Sequence, residues 1–358
     1  MNHIKTILIA LIIILVTGVL KAQAPKYSNE FMNIGIGARS LGMGNSTVAS
    51  VNDVTAGYWN PSLLTDIPSH LQLGAMHAEY FAGIAKFDYL GAALKQGDSS
   101  HIGLSVIRFG VDDIPNTLEL IDENGNIRYD RIKSFSVADY AFVFSYARLS
   151  KINGLSYGAN AKVIRRVAGE FASAWGLGLD AAASYKTGSF KFGAIARDIT
   201  STFNAWSFNT DELEEVFILT GNEIPTNHVE VTMPRLILAG AYSYDFNEKF
   251  SGLAEINFDM TTDGKRNVLI KGDPLSIDPH LGIEVDYKEI FYLRLGVSNI
   301  QQENDFDNKT ITTFVPSFGI GIRYKNFGLD YAFTDIGDRS IALYSNVFTL
   351  FYSLNRSY

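Results

Sequence analysis

The sequence has no cysteine among its 358 residues. That absence excludes a disulfide scaffold, a thiolate metal site and a cysteine nucleophile. Proline is scarce at nine residues, and Asp, Glu, Lys and Arg together make up only 19% of the chain, below the usual quarter. Thirty Lys and Arg face 38 Asp and Glu, for a formal charge of −8, so the basic face that nucleic acid requires is missing. What is abundant is aromatic and small: 24 Phe, 18 Tyr and 31 Gly. So many aromatics exclude a disordered chain. Past the N-terminus no apolar stretch approaches 18 residues, so no membrane-crossing helix is expected in the mature protein.

The N-terminus reads as an export signal. Lys5 gives an early positive charge, an apolar run follows from Ile7 to Val16, and Lys21-Ala22-Gln23-Ala24-Pro25 forms a small-residue exit. Cleavage after Ala22 is expected, leaving residues 1–22 as the signal peptide. With no cysteine at the exit, a lipid-anchored product is excluded. An exported chain without a spanning helix is either water-soluble or a β-barrel, because only helices and closed barrels satisfy every backbone group in lipid.

The hydrophobic period is two. Leu177, Leu179, Ala181, Ala183 and Tyr185 share one face of their segment, opposite Gly176, Gly178, Asp180 and Ala182. Leu281, Ile283 and Val285 oppose Gly282, Glu284 and Asp286, and Phe318, Ile320 and Ile322 oppose Gly319, Gly321 and Arg323. Alternation of this kind marks strands with one greasy face. A soluble sandwich also alternates, but its solvent face would carry more Lys and Glu. Here the second face is Gly, Ala and Ser with few charges, and the greasy face turns aromatic at its ends, as in an outer-membrane barrel.

Fourteen strands are expected, at 71–80, 84–95, 101–110, 135–147, 153–166, 174–186, 188–198, 233–245, 249–262, 278–287, 290–299, 315–324, 326–335 and 344–354. An even number suits a single-chain bacterial barrel. Short turns alternate with longer loops at 111–133, 167–173, 199–232, 263–277, 300–314 and 336–343. The exception is the tight connection at Phe81 to Gly83, on the long-loop rim. With both termini periplasmic, the long set faces outward. Stretch 199–232 carries six acids and no Lys or Arg, while the short turns carry Lys95, Lys151, Lys186, Lys249, Lys288 and Lys325. An acidic outer rim of this sort is either ordinary solvated loop or a landing surface for a basic partner. The lumen is expected to receive Asp139, Lys162, Asp180, Arg197, Glu255, Asp259, Glu284, Arg294, Arg323 and Asp330, mixed signs that do not make a charge-selective pore.

Between Asn29 and Pro68 the alternation stops. Gly35, Gly37, Gly42 and Gly44 surround Arg39, and Asp53 precedes Trp59-Asn60-Pro61. A nucleotide fingerprint is excluded, since its third glycine is replaced by Ser40 and no strand precedes it. A compact plug inside the barrel fits, with small residues packing against the wall. The expected organisation is a signal peptide at 1–22, a plug or hatch at 23–69 and a barrel at 70–358. Arg39 and Asp53 are candidates for buried, paired charges there.

At Gly37-Ala38-Arg39-Ser40-Leu41-Gly42-Met43-Gly44, Val51-Asn52-Asp53 and Tyr58-Trp59-Asn60-Pro61-Ser62 the chain resembles the PorV/PorQ family, outer-membrane proteins of the Bacteroidota type IX secretion system. That family is similar in turn to the FadL fatty-acid transporters, with their fourteen-stranded barrel, N-terminal hatch and Asn-Pro-Ala motif; here Ser62 takes the alanine position. The resemblance implies a Gram-negative outer membrane, docking on a translocon, and passage of cargo with a C-terminal signal domain to a surface sortase. The alternative it leaves open is a FadL-like carrier of long-chain fatty acids or other hydrophobic small molecules.

No catalytic, cofactor or metal site is expected. His70, His77, His101, His228 and His280 form no ligand motif, and no nucleophile elbow is present. Asp122-Glu123-Asn124-Gly125-Asn126 hints at calcium, but a calcium loop needs glycine where Ile127 stands. Asn124-Gly125 reads as a hairpin turn.

Overall fold

A computed structural model describes residues 28–355, apart from 82, 123, scattered positions between 211 and 222, 305–308 and 335–344. The signal segment 1–22 and the loop at 336–343 lie outside the described residues. Sixteen strands follow in order: β1 (Leu71–Tyr80), β2 (Ala85–Gln96), β3 (Ser100–Asn116), β4 (Lys133–Leu149), β5 (Leu155–Ala168), β6 (Ala172–Thr187), β7 (Phe190–Arg197), β8 (Phe203–Phe208), β9 (His228–Val231), β10 (Arg235–Asp245), β11 (Phe250–Thr261), β12 (Ser276–Tyr287), β13 (Phe291–Asn304), β14 (Thr310–Tyr324), β15 (Phe327–Thr334) and β16 (Ser345–Leu354). Fourteen of them, β1–β7 and β10–β16, close an antiparallel ring, sealed where Leu71 pairs with Leu354 and Glu79 with Asn346.

The remaining two correct the expectation of a plain loop at 199–232. Phe203-Asn204-Ala205-Trp206-Ser207-Phe208 alternates and pairs with the outer half of β6, and β9 pairs with β8. Strands β3, β13 and β14 also run several residues into the stretches expected to be loops at 111–133 and 300–314. Inside the first of these, Ile121 bridges Ile127, and Gly125 N–H donates to Asp122 O at 2.9 Å, the anticipated hairpin turn.

The outward faces carry Leu177, Leu179, Leu238, Ile283, Leu293, Leu295, Ile320, Leu329 and Leu350, all exposed. Water would not tolerate so continuous an apolar belt, whereas bilayer hydrocarbon requires one. Next to the short turns the belt ends in rings: Phe190 lies 4.9 Å from Tyr242, Phe250 5.0 Å from Tyr287 and Phe327 4.9 Å from Tyr352. The fold is a fourteen-stranded transmembrane barrel. All ten ionisable residues expected in the lumen lie on inward faces, seven of them buried.

Candidate functional site

The segment 28–70 packs against the inner faces of the strands. Its short helix Ala38–Gly42 lies along β14 and β15, and a 3-10 turn at Pro61–Asp66 lies along β4 and β5. Glycines on both sides make this approach possible. A Cβ on Gly42 would sit 2.9 Å from the Cα of Gly319, one on Gly44 2.7 Å from the amide nitrogen of Val297, and one on Gly282 2.6 Å from Met43 O. Backbone meets backbone at these points, which no other residue allows. Gly35 and Gly37 take positive φ angles of 95° and 85°, and Gly37 starts the Ala38–Gly42 helix.

The other motif residues hold this segment together. Trp59 Nε1 donates to Ile36 O at 2.8 Å, and Asn60 Nδ2 to Val48 O at 2.8 Å. Asn60 Oδ1 accepts from Ser62 N–H and Ser62 Oγ, capping the turn in which Pro61 occupies the first position. Arg39 is buried and ion-paired, but Asp53 is not its partner. Asp53 turns back on Thr55, accepting from its N–H at 2.8 Å and from its hydroxyl. The partner of Arg39 is a wall residue, Glu284, reached by Nε at 2.9 Å and by a terminal nitrogen at 3.0 Å. The chain of charges continues through the wall: Arg294 Nε sits 2.6 Å from Glu284, Arg294 Nη1 2.8 Å from Asp330, and Arg323 Nη2 2.7 Å from Asp330. Burial works against a charged Arg39, but the surrounding carboxylates, Glu284 foremost, together raise the guanidinium above its ordinary value.

At the β7–β10 seam, two strands from β12, the ladder is broken. β7 ends at Arg197, paired with Arg235, and β8 resumes at Phe203, paired with Val231. Between them lie Asp198–Thr202 on one strand and Thr232–Pro234 on the other, where Pro234 has no N–H to give. Asp198 is held by Lys162, which also lies 2.6 Å from Asp180, and Asp198 N–H donates to Asp180 Oδ1. Asn29 Nδ2 reaches Thr232 Oγ1 at 2.8 Å, and Asn204 Nδ2 reaches Ser28 Oγ at 2.7 Å. The start of the inner segment is thus pinned to the break.

Three hollows run along this break. An outer vestibule of ≈600 Å³ is floored by Glu30, Asn33, Arg235 and Thr261. It shares those residues with a smaller hollow of ≈30 Å³ beside Asp198, Met233 and Pro234. That one shares Asn33, Asp198 and Thr232 with a third, of ≈20 Å³, ending at Lys162 and Arg197. Arg197 stacks 4.4 Å over Tyr58 and 5.6 Å from Trp59. The two inner hollows are of a size for one or two waters, so Asn29, Met32 and Asn33 separate the vestibule from the wall. Lys162 and Arg197 were legible as lumenal; Asp198, Thr232, Arg235 and Arg266 were not, because a strand break leaves no mark in a period of two. Among the described residues no three His, Cys, Asp or Glu groups converge to hold a metal.

The fold is that of known hydrocarbon-transport barrels. The toluene transporter TodX of Pseudomonas putida superposes with a TM-score of 0.55 at 14% identity, over 94% of this chain and 100% of that one. The monoaromatic hydrocarbon channel CymD gives 0.56 at 13%, over 93% and 100%. A FadL homologue of Pseudomonas aeruginosa gives 0.52 at 14%, over 89% and 98%. No protein-family model and no curated protein sequence matches the chain.

Proposed function

We propose that this protein is a non-enzymatic barrel of the Gram-negative outer membrane that admits hydrophobic small molecules, long-chain fatty acids among them. In this reading residues 1–22 are its cleaved signal, 23–69 its plug and 70–358 its wall. The observation that carries it is the row of hollows leading from the vestibule along the broken ladder to Lys162 and Arg197. The likeness to barrels described as toluene and hydrocarbon channels accords with it. Passage requires Asn29 and Met32 to swing away from Thr232 and Tyr58, since the inner hollows admit only water-sized molecules. Uptake of radiolabelled toluene and oleate by cells with and without the protein is the test.

One observation favours a second reading. The motif residues Arg39, Trp59 and Asn60 of the N-terminal segment point into backbone and ion pairs, and none of them lines the three hollows described above. A barrel so tightly filled offers partners its outer surface, as a type IX secretion component would to translocon and cargo. Recovery of such partners from detergent extracts, with toluene and oleate uptake unaltered, would favour it over transport.

A further inference from the structure

The lipid-facing belt is not equally deep all round the barrel. On β6 the outward residues from Tyr185 to Trp175 carry no charge, nor do those of β11 from Phe250 to Met260 or of β12 from Tyr287 to Ile277. On β1, β2 and β3 only three apolar outward positions stand above the short turns, as at Leu71, Leu73 and Ala75 on β1. Each strand then turns ionic on the same face: His77 and Glu79 on β1, Asp88 and Lys86 on β2, Arg108 and Asp112 on β3. The ladder sets His77 opposite Asp88 and Asp88 opposite Arg108. His77 Nδ1 lies 2.7 Å from Asp88 Oδ1, and Arg108 Nη1 3.5 Å from Asp88 Oδ2. Asp112 completes the network, 3.2 Å from Arg108 Nη2 and 3.2 Å from Lys86 Nζ. These side chains face away from the lumen, with 51% of His77 and 25% of Arg108 accessible.

A strand that rises about 3.3 Å per residue and tilts about 45° crosses ~25 Å of hydrocarbon in about eleven residues. The stretch from Trp175 to Tyr185 fills that depth, whereas Leu71 to Met76 fills only ~14 Å of it. A cation on the lipid face is costly at the midplane and tolerated near the interfaces. Asp88, Arg108, Asp112 and Lys86 already have partners on their own face, so the network calls for polar surroundings and not for a counter-ion. A short apolar stretch is accommodated by thinning of the bilayer. We propose that the outer-leaflet lipid headgroups, with their water, descend along β1–β3 to the level of His77, Asp88 and Arg108, leaving the hydrocarbon about half as deep there as beside β6. The tight connection at Phe81 to Gly83, the exception on the long-loop rim, means that β1 and β2 raise no long loop over this face. This contact with lipid is independent of the transport reading, and hydrocarbon uptake can fail or succeed without bearing on it.

The experiment uses single nitroxide labels, which a chain without cysteine accepts one at a time. His77→Cys and Glu79→Cys on β1 are compared with Leu179→Cys and Leu177→Cys on β6, which lie farther from the short-turn end of their strand. Each labelled full-length protein is folded into dioleoylphosphatidylcholine vesicles, and collisions with a water-soluble nickel chelate and with oxygen are measured. Heat-modifiable migration on gels checks folding, and the Glu79 label, which leaves the other five charged groups in place, carries the comparison if the His77 variant does not fold. Nickel collisions at least threefold more frequent on β1 than on β6 are expected. Labels on β1 that meet oxygen, and nickel no more often than those on β6, would lie in hydrocarbon of full depth and overturn the proposal. Labels on β1 that meet neither would be covered by protein, a second copy of the chain included, and overturn it too.

Discussion

Arg39 and Glu284, 245 residues apart in the chain, form a two-point ion pair inside the barrel, at 2.9 and 3.0 Å. It ties the inner segment to the wall, and Glu284 is shared with Arg294. Glu284→Ala leaves two buried guanidiniums without this acceptor, a loss of roughly 3–5 kcal/mol for breaking a buried pair. Replacing Arg39 and Glu284 together by Met should cost markedly less. Urea unfolding of the two variants in bilayers or detergent checks the order; equal losses would mean that the pair does not act as a unit.

The glycine contacts make a sharper prediction about position. Gly282→Ala places a methyl 2.6 Å from Met43 O and must push the inner segment off β12. Gly240→Ala finds its nearest neighbour at 3.9 Å and should stay within about 0.5 kcal/mol of wild type. Limited proteolysis near Met43 should accelerate in the first variant and not in the second.

The outward belt can be tested by a single charge. Leu295, exposed on β13 between Ile283 and Phe318, faces hydrocarbon. Leu295→Arg should cost about 2–4 kcal/mol, the range for a cation near the bilayer midplane, measured as folding into lipid vesicles. A cost near zero would place this face in water or against protein.

The outer hairpin gives a pH dependence. The Asp122 carboxyl is held below its usual range, first by the backbone N–H of Asn126 and then by the Asn126 side chain and the N–H of Asn124. A depressed value means that its contribution is complete above the unfolded value near ~3.9 and is lost as pH falls through the folded one. Amide exchange at Asn124 and Asn126 should therefore accelerate, relative to the intrinsic rate, only in strong acid. In Asp122→Ala it should already be fast at neutral pH.

Much of the wall was legible because a strand sorts its side chains by parity. Asp180, Glu284 and Asp330 were placed in the lumen by their position between Leu179 and Ala181, Ile283 and Val285, Leu329 and Tyr331. Register across distant strands follows no such rule. Nothing local to Arg39 distinguishes Asp53, fourteen residues away, from Glu284; the pairing depends on how the segment lies in the closed ring. The hairpin β8–β9 was missed although Phe203, Ala205 and Ser207 alternate with Asn204, Trp206 and Phe208, because acidic loop residues surround two very short runs. The break beside Asp198, and with it the row of hollows, arises where two ladders fail to meet.

The central claim is that small hydrophobic molecules pass along that break once Asn29 releases Thr232. Thr232→Val removes the hydroxyl that accepts from Asn29 Nδ2 at 2.8 Å and leaves the ring intact. The most direct measurement is the initial rate of radiolabelled toluene uptake by cells carrying wild type, Thr232→Val or no protein, at equal barrel content in the outer membrane. The account predicts uptake above the empty strain for wild type and a further severalfold rise for Thr232→Val. Rates in all three strains that coincide, with both barrels folded, would contradict it.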